Sequence, residues 1–401
     1  MSADVPLPAT AGSRRGRGRS SFASARRWPA RGLRLGAVAV ALVLAAGCAG
    51  SGDDDGAATT TPAAVTDPSA TGDPSGTGGT GDGEPPALAS LTALAPAVLD
   101  PRVVPAVASE GEMVDGVIET ADGRSRSYHL YVPSSLPEGE VPLLVGLHGG
   151  LGSGMQFATS SELTGLAEAN GFLAVFPDGI PIRDEPTRAV WNGGGCCATA
   201  AEDREDVDDV AFIGDLIDIL ASSYPVDPER IVVTGHSNGG ILSMRLACEL
   251  EPRVAAVAFQ AGTLFVPGCD NDAPVSALAI HGADDQNVLL DGGAGDASLD
   301  GSDYPPVRDG LAALAAANGC TGGPEPEVAP AADQADVTVE TWTGCPEGID
   351  VQLIVVAGAN HAWMGHGQAG LSERRIGPAY RDLDASEVVW SFLAAHPRVT
   401  P

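Results

Sequence analysis

The sequence predicts an α/β fold, a doubly wound and mostly parallel sheet forming a single domain. Three observations predict it. From about residue 112, short β-branched runs alternate with segments of helical apolar spacing over about 290 residues. Several runs are apolar throughout, the composition of strands covered on both faces. One of them, Ile231-Val232-Val233, leads directly through Gly235-His236-Ser237-Asn238-Gly239 into Ile241, Leu242, Met244, Leu246 and Leu250 at helical spacing. That last stretch reads as strand, tight turn and helix. Gly235 and Gly239 would let strand and helix approach, with Ser237 strained at the apex.

The other elements follow in order. Residues 127–132 alternate as a half-buried strand, and 133–142 form a loop. Residues 142–147 make a buried strand ending at His148-Gly149-Gly150. Residues 157–169 have helical spacing. Residues 172–176 form another buried strand, closed by Pro177-Asp178-Gly179. A long excursion with Trp191 and Cys196-Cys197 follows. Residues 207–223 form an amphipathic helix with Val210, Ile213, Ile217 and Leu220 on one face. Asp206, Asp208 and Asp209 sit in its first turn, where the helix dipole favours acids; this reading is preferred to a metal site. Beyond the serine turn, 254–259 and 275–280 are strands, 307–318 a helix, 337–342 and 351–356 strands, and 386–395 a helix. The acidic, glycine-rich residues 291–303 read as a solvated, mobile loop near a substrate entrance, since their spacing is not that of a calcium loop.

The N-terminal region belongs to no core. Residues 1–47 carry eight arginines and then an apolar stretch at 35–46, the pattern of an export signal. Leu44-Ala45-Ala46-Gly47-Cys48 resembles a bacterial lipobox, which makes Cys48 the expected lipidation site. Residues 48–111 are rich in Gly, Ser, Thr, Pro and Asp, as expected for a tether, leaving 112–398 as the folded domain. All 22 basic residues are Arg. Removal of residues 1–47 leaves 14 Arg against 52 Asp and Glu, a formal charge of about −38. Such a surface repels nucleic acid and anionic lipid and argues against both as partners; any membrane contact is expected through the lipid anchor alone. Six cysteines remain, an even number suited to disulfides in an exported chain. Cys320–Cys345 is the first expected pair and Cys248–Cys269 the second. Cys196 and Cys197 then form a vicinal pair, or each bonds elsewhere. No cysteine spacing suits zinc, and no metal or cofactor is expected.

A serine hydroxyl needs a base, and the base an orienting acid. In a doubly wound sheet these lie past the carboxyl ends of strands. Residues 275–280 end in His281-Gly282-Ala283-Asp284-Asp285, and 351–356 end in Ala357-Gly358-Ala359-Asn360-His361. The order Ser, Asp, His fits a hydrolytic triad.

Residues 115–396 resemble the secreted polyhydroxybutyrate depolymerase / feruloyl esterase family of α/β-hydrolases. The matches are Leu147-His148-Gly149-Gly150, Gly235 to Gly240, Ile280 to Asp285, Gly358 to Trp363, and the Trp191 to Cys197 stretch followed by Val207 to Val210. The resemblance implies an α/β-hydrolase fold and an exported serine carboxylesterase acting on hydroxyalkanoate, feruloyl or acetyl esters; the protein is expected to be a monomer. It implies Ser237 as nucleophile, His361 as base and Asp285 as acid, with Asp284 a rival for the acid and His148 and His281 rivals for the base. The oxyanion would meet the Asn238 N–H and one from Gly150 or Leu151. Trp363, Trp191 and His236 are candidate substrate contacts, with Trp363 alternatively packed under the His361 loop. A prolyl-oligopeptidase-type peptidase and a non-catalytic surface lipoprotein are the competing readings.

Overall fold

The computed structural model describes residues 111–182, 185–197, 207–250, 252–269, 273–328, 336–367 and 373–399. The expected signal, Cys48, the tether up to residue 110 and Asp206 lie outside the described residues.

One ten-stranded sheet organises the domain. In chain order its strands are β1 (Glu112–Glu119), β2 (Ser125–Val132), β3 (Val141–Leu147), β4 (Leu173–Pro177), β7 (Val226–His236), β8 (Ala256–Gln260), β9 (Ser276–Gly282), β10 (Pro324–Val328), β11 (Val337–Trp342) and β12 (Val351–Val356). A separate hairpin of β5 (Ile180–Ile182) and β6 (Glu185–Val190) occupies the long excursion. The helices are α1 (Gly154–Ser161), α2 (Leu163–Asn170), α3 (Asp209–Ser223), α4 (Asn238–Glu249), α5 (Val307–Ala317), α6 (Glu373–Ile376) and α7 (Ala385–Ala395). The spatial strand order is β1-β2-β4-β3-β7-β8-β9-β12-β11-β10. The six strands from β4 to β12 run parallel, and antiparallel pairs flank them at both edges. This is the α/β-hydrolase arrangement, with helices on both faces.

Strand alternation sorts the core into two layers. Leu143, Val145, Val233 and Val257 face α3, α4 and α5. Leu144, Val232 and Leu278 face α1, α2 and α7, where Phe172 stacks on Trp390 at 3.7 Å between ring centres. The apolar runs are therefore buried on both faces because each layer takes every second side chain.

The expected helix over 157–169 is two helices. Glu162 adopts φ 55° and turns the chain between α1 and α2. Three disulfides form: Cys196–Cys197, Cys248–Cys269 and Cys320–Cys345. In the chain-entropy description, the last closes a loop that contributes about 3 kcal/mol.

Two expectations need correction. Asp209 sits in the first turn of α3 as expected, but the helix dipole is not its main partner. Asp209 is fully buried and pairs with Arg126 of β2 at 2.7 Å, while its other oxygen accepts the Asn192 N–H at 2.7 Å. Burial raises its carboxyl pKa against the pull of Arg126, whose guanidinium lies over Phe212 at 4.0 Å. The helix-capping oxygen belongs instead to Asp208, which accepts the Ala211 N–H. Residues 291–303 are also more than a solvated loop. Gly293 bridges Tyr304, and Asp300 gathers hydrogen bonds from Ser298, Ser302, Tyr304 and Cys197.

One histidine held between two carboxylates yields a pH test. His129 lies between Asp178 at 3.3 Å and Asp115 at 2.6 Å. The Asp178 bond, then that from Asp115, outweighs partial burial and raises its pKa to about 9. A raised folded pKa stabilises fully below the unfolded value of about 6.5 and fades as pH rises through about 9. The thermal midpoint gap between wild type and His129→Gln is therefore expected to be widest near pH 6 and to close by about pH 10. Melting curves across that range check it, and a gap that widens with pH would contradict the pairing.

Candidate active site

The turn after β7 is built by sterics. Ser237 sits at φ 55° and ψ −119°, a conformation L-residues rarely adopt, with its N–H donating to the Gln260 carbonyl at 2.9 Å. A methyl group at Gly235 would strike the Gly239 carbonyl, and one at Gly239 would strike the Leu147 carbonyl. Only glycines allow β7, the start of α4 and the end of β3 to crowd together here. Ser237 is part-exposed while residues 231–236 and 238–240 are buried, so the hydroxyl is the accessible point of the turn.

His361 and Asp285 arrive from the loops after β12 and β9. Ser237 Oγ lies 2.8 Å from His361 Nε2, and His361 Nδ1 lies 2.7 Å from Asp285 Oδ2. The other Asp285 oxygen accepts the N–H groups of Asn287 at 2.8 Å and Val288 at 3.1 Å. Burial alone would push the Asp285 carboxyl up. The neighbouring His361, its hydrogen bond and the backbone donors pull it below the ordinary value, so it is ionised at neutral pH. Asp284 is exposed and its side chain makes no part of this chain of bonds. His281 Nε2 bonds the Val288 carbonyl at 2.8 Å and lies 3.6 Å from Asp285, bracing the acid's own turn. His148 is buried and held neutral, its pKa lowered by burial to about 4. It is spent on Gly149 and Gly179, accepting the Gly179 N–H at Nε2.

The His361 loop is fixed from beneath. His236 donates from Nε2 to the His361 carbonyl at 2.7 Å. Burial, then the nearby His361, lowers the His236 pKa to about 3, so this ring stays neutral. Gln260 brackets the same loop, donating to the Ala362 carbonyl at 2.8 Å and accepting the Met364 N–H at 2.9 Å.

Two backbone N–H groups are the candidates to hold the oxyanion. The Asn238 N–H opens α4, where no intrahelical acceptor exists. Of the two loop candidates, Leu151 donates to the Ala189 carbonyl at 2.8 Å, which leaves Gly150. A methyl group at Gly150 would stand 3.5 Å from the Asn238 Cβ, so the two residues adjoin. The Asn238 carboxamide grips Trp191 twice, accepting its N–H at 2.7 Å and donating to its carbonyl at 3.0 Å. The Trp191 indole donates to the His148 carbonyl at 2.9 Å. Asn192 next in line is held by the buried Asp209–Arg126 pair. These bracing roles are long-range, and no local signal in the sequence marks them.

Burial removes the expected substrate role of Trp191 and His236, while Trp363 follows its alternative reading and packs behind the His361 loop. Trp363 is 1% exposed, packs edge-on against Phe157 at 5.3 Å and donates to Ser386 Oγ at 2.9 Å. Trp191 is 0% exposed and His236 1%. Each braces a loop and presents no surface to a ligand. Cys196, Cys197 and Asp300 cluster within 4.8 Å, but both sulfurs are joined to each other, which leaves no thiolate for a metal.

A family described as "Putative esterase" matches residues 120–308. Feruloyl esterase B of Piromyces equi is 30% identical over 236 residues, which cover 57% of this chain and 41% of that protein. The chain thus matches about two fifths of that relative's length. A protein of Nocardia uniformis subsp. tsuyamanensis named "Putative esterase NocK" is 29% identical, covering 68% of this chain and 80% of its own length. The solved acetyl xylan esterase from Aspergillus awamori has a TM-score of 0.46 at 17% identity, covering 62% of this chain and 94% of that one. The chain has the α/β-hydrolase fold, and its residues 120–308, which carry Ser237 and Asp285, match this esterase family.

Proposed function

We propose that the protein is an exported serine carboxylesterase of the depolymerase/feruloyl esterase type. The observation that carries this reading is the continuous hydrogen-bond chain from Ser237 through His361 to Asp285, at 2.8 and 2.7 Å. In it Ser237 Oγ attacks the ester carbonyl carbon while its proton passes to His361 Nε2. The Asn238 and Gly150 N–H groups hold the negative oxygen. The carbon–oxygen bond to the alcohol breaks, and His361 protonates the departing alcohol. Water then attacks the acyl-enzyme by the same route, releasing the acid and restoring Ser237. Asp285 stays ionised throughout and stabilises the imidazolium.

Feruloyl and acetyl esters are proposed as substrates by analogy with the relatives' names, and hydroxyalkanoate esters by the motif resemblance. The three disulfides support folding in an oxidising compartment, and the lipobox-like Cys48 supports an anchor there. The proposed working state is a monomer.

A panel of p-nitrophenyl acetate, methyl ferulate, hydroxybutyrate oligomers and prolyl peptide anilides tests the reading, with products identified by mass spectrometry. Turnover of esters with inert anilides is the expected result. Faster cleavage of anilides would replace the esterase with a peptidase, and no turnover of any member would leave a non-catalytic scaffold.

A further inference from the structure

Beside the proposed oxyanion donors stands a side chain with no role so far. Among the described residues, the large apolar side chains left exposed are Val117, Met155, Ile219 and Leu299. Leu299 is 39% exposed. A methyl group added at Gly150 would lie 3.7 Å from Leu299 Cδ1; apart from Gly150's chain neighbours, only Asn238 is nearer. Leu299 therefore adjoins Gly150, one of the two residues that would bind the oxyanion. An exposed leucine at that spot is covered by solvent until something apolar arrives.

Leu299 is also held in place from the next residue. Asp300 is half-buried, and its two oxygens accept from Ser298 Oγ at 3.2 Å, the Ser302 N–H at 3.0 Å, Ser302 Oγ at 2.7 Å and Tyr304 OH at 2.9 Å. A fifth bond, from the Cys197 N–H at 3.2 Å, ties this loop to the segment that begins at Trp191 and is clamped by Asn238. The carboxylate thus joins the loop bearing Leu299 to the same framework that fixes the oxyanion donors. An exposed side chain on a pre-fixed loop loses little freedom when a ligand packs on it.

We propose that Leu299 is a specificity-determining residue, the apolar wall against which the carbon chain next to the ester carbonyl packs, and that Asp300 is its positioning residue. The proposal rests on the esterase reading above. The substrate class it selects is neutral esters with an apolar group adjoining the carbonyl, whether on the acyl or the alcohol side.

The test measures kcat/KM for two series, p-nitrophenyl acyl esters from acetyl to octanoyl and acetate esters of alcohols from methyl to hexyl. Leu299→Ala is expected to lower the long-to-short ratio by about tenfold in one series, at unchanged melting temperature. Asp300→Asn is expected to lower the same ratio in the same series. General loop damage would lower every substrate alike and leave the ratio fixed. Ratios that stay within twofold in both series, in a wild-type protein that hydrolyses esters, overturn the role of Leu299 alone. A wild-type protein inert towards every ester overturns the esterase reading and this proposal with it.

Discussion

Ser237→Ala is expected to lower kcat/KM for p-nitrophenyl acetate by about 10⁶-fold, with folding intact. The size follows from geometry. The serine hydroxyl is the part-exposed atom at the apex of a buried turn, within 2.8 Å of its base, and no other hydroxyl makes a hydrogen bond to His361 among the described residues. Its loss removes the covalent route entirely. Residual rate would come from water placed by the Asn238 and Gly150 donors, worth about 10³ to 10⁴ over solution. Folding should survive because the strain at φ 55° belongs to the backbone, and alanine tolerates it no worse than serine. A fluorophosphonate provides a readout independent of turnover. Ser237 Oγ bonds phosphorus, fluoride leaves, and His361 takes the proton, adding one phosphonyl group to the intact mass. Labelling is expected in wild type and absent in Ser237→Ala. A variant still labelled, or still turning over within a hundredfold, would move the nucleophile elsewhere.

The central strands were legible because burial on both faces forces a continuous apolar run, as in Leu143 to Leu147 and Leu173 to Phe176. Edge strands leave no such mark. In β1 only Ile118 is buried, and β10 is Pro-Glu-Pro-Glu-Val, where prolines fit an edge. The break between α1 and α2 has no glycine or proline to announce it, because Glu162 takes the left-handed turn itself. At the site, Ser237, Asp285 and His361 were legible because strand ends with glycines bracket them, and the fold brings strand ends to one edge. The braces were not. Whether Trp191, His236 and Trp363 face solvent or core depends on partners 23 to 125 residues away, namely Asn238 and His148 for Trp191, the His361 carbonyl for His236, and Ser386 for Trp363. Arg126 and Asp209 are 83 positions apart, and neither alone looks unlike a surface charge.

Asp285→Asn is expected to lower kcat/KM by about 10⁴-fold. The carboxylate is used on both sides. Oδ2 receives the His361 Nδ1 proton, and Oδ1 receives two backbone N–H groups, from Asn287 and Val288. An asparagine has one acceptor oxygen and one NH₂ group, so it satisfies one side only. With its oxygen towards the imidazole, the NH₂ confronts two backbone donors inside a site where Asp285 is 1% exposed, and unpaired buried donors cost about 1–3 kcal/mol each. With its oxygen towards the backbone, the NH₂ faces Nδ1 and draws the imidazole into the other tautomer. Nε2 then carries the proton and has no lone pair for the Ser237 hydroxyl. Either way the negative charge opposite the imidazolium is gone. The exposed neighbour serves as control, and Asp284→Asn is expected to retain kcat/KM within about twofold. Steady-state rates and melting curves on both variants decide the matter. If Asp284→Asn were the crippled variant and Asp285→Asn kept activity within tenfold, the acid would have to be reassigned, and the two backbone donors on Asp285 would be reduced to a turn that holds the β9 loop closed.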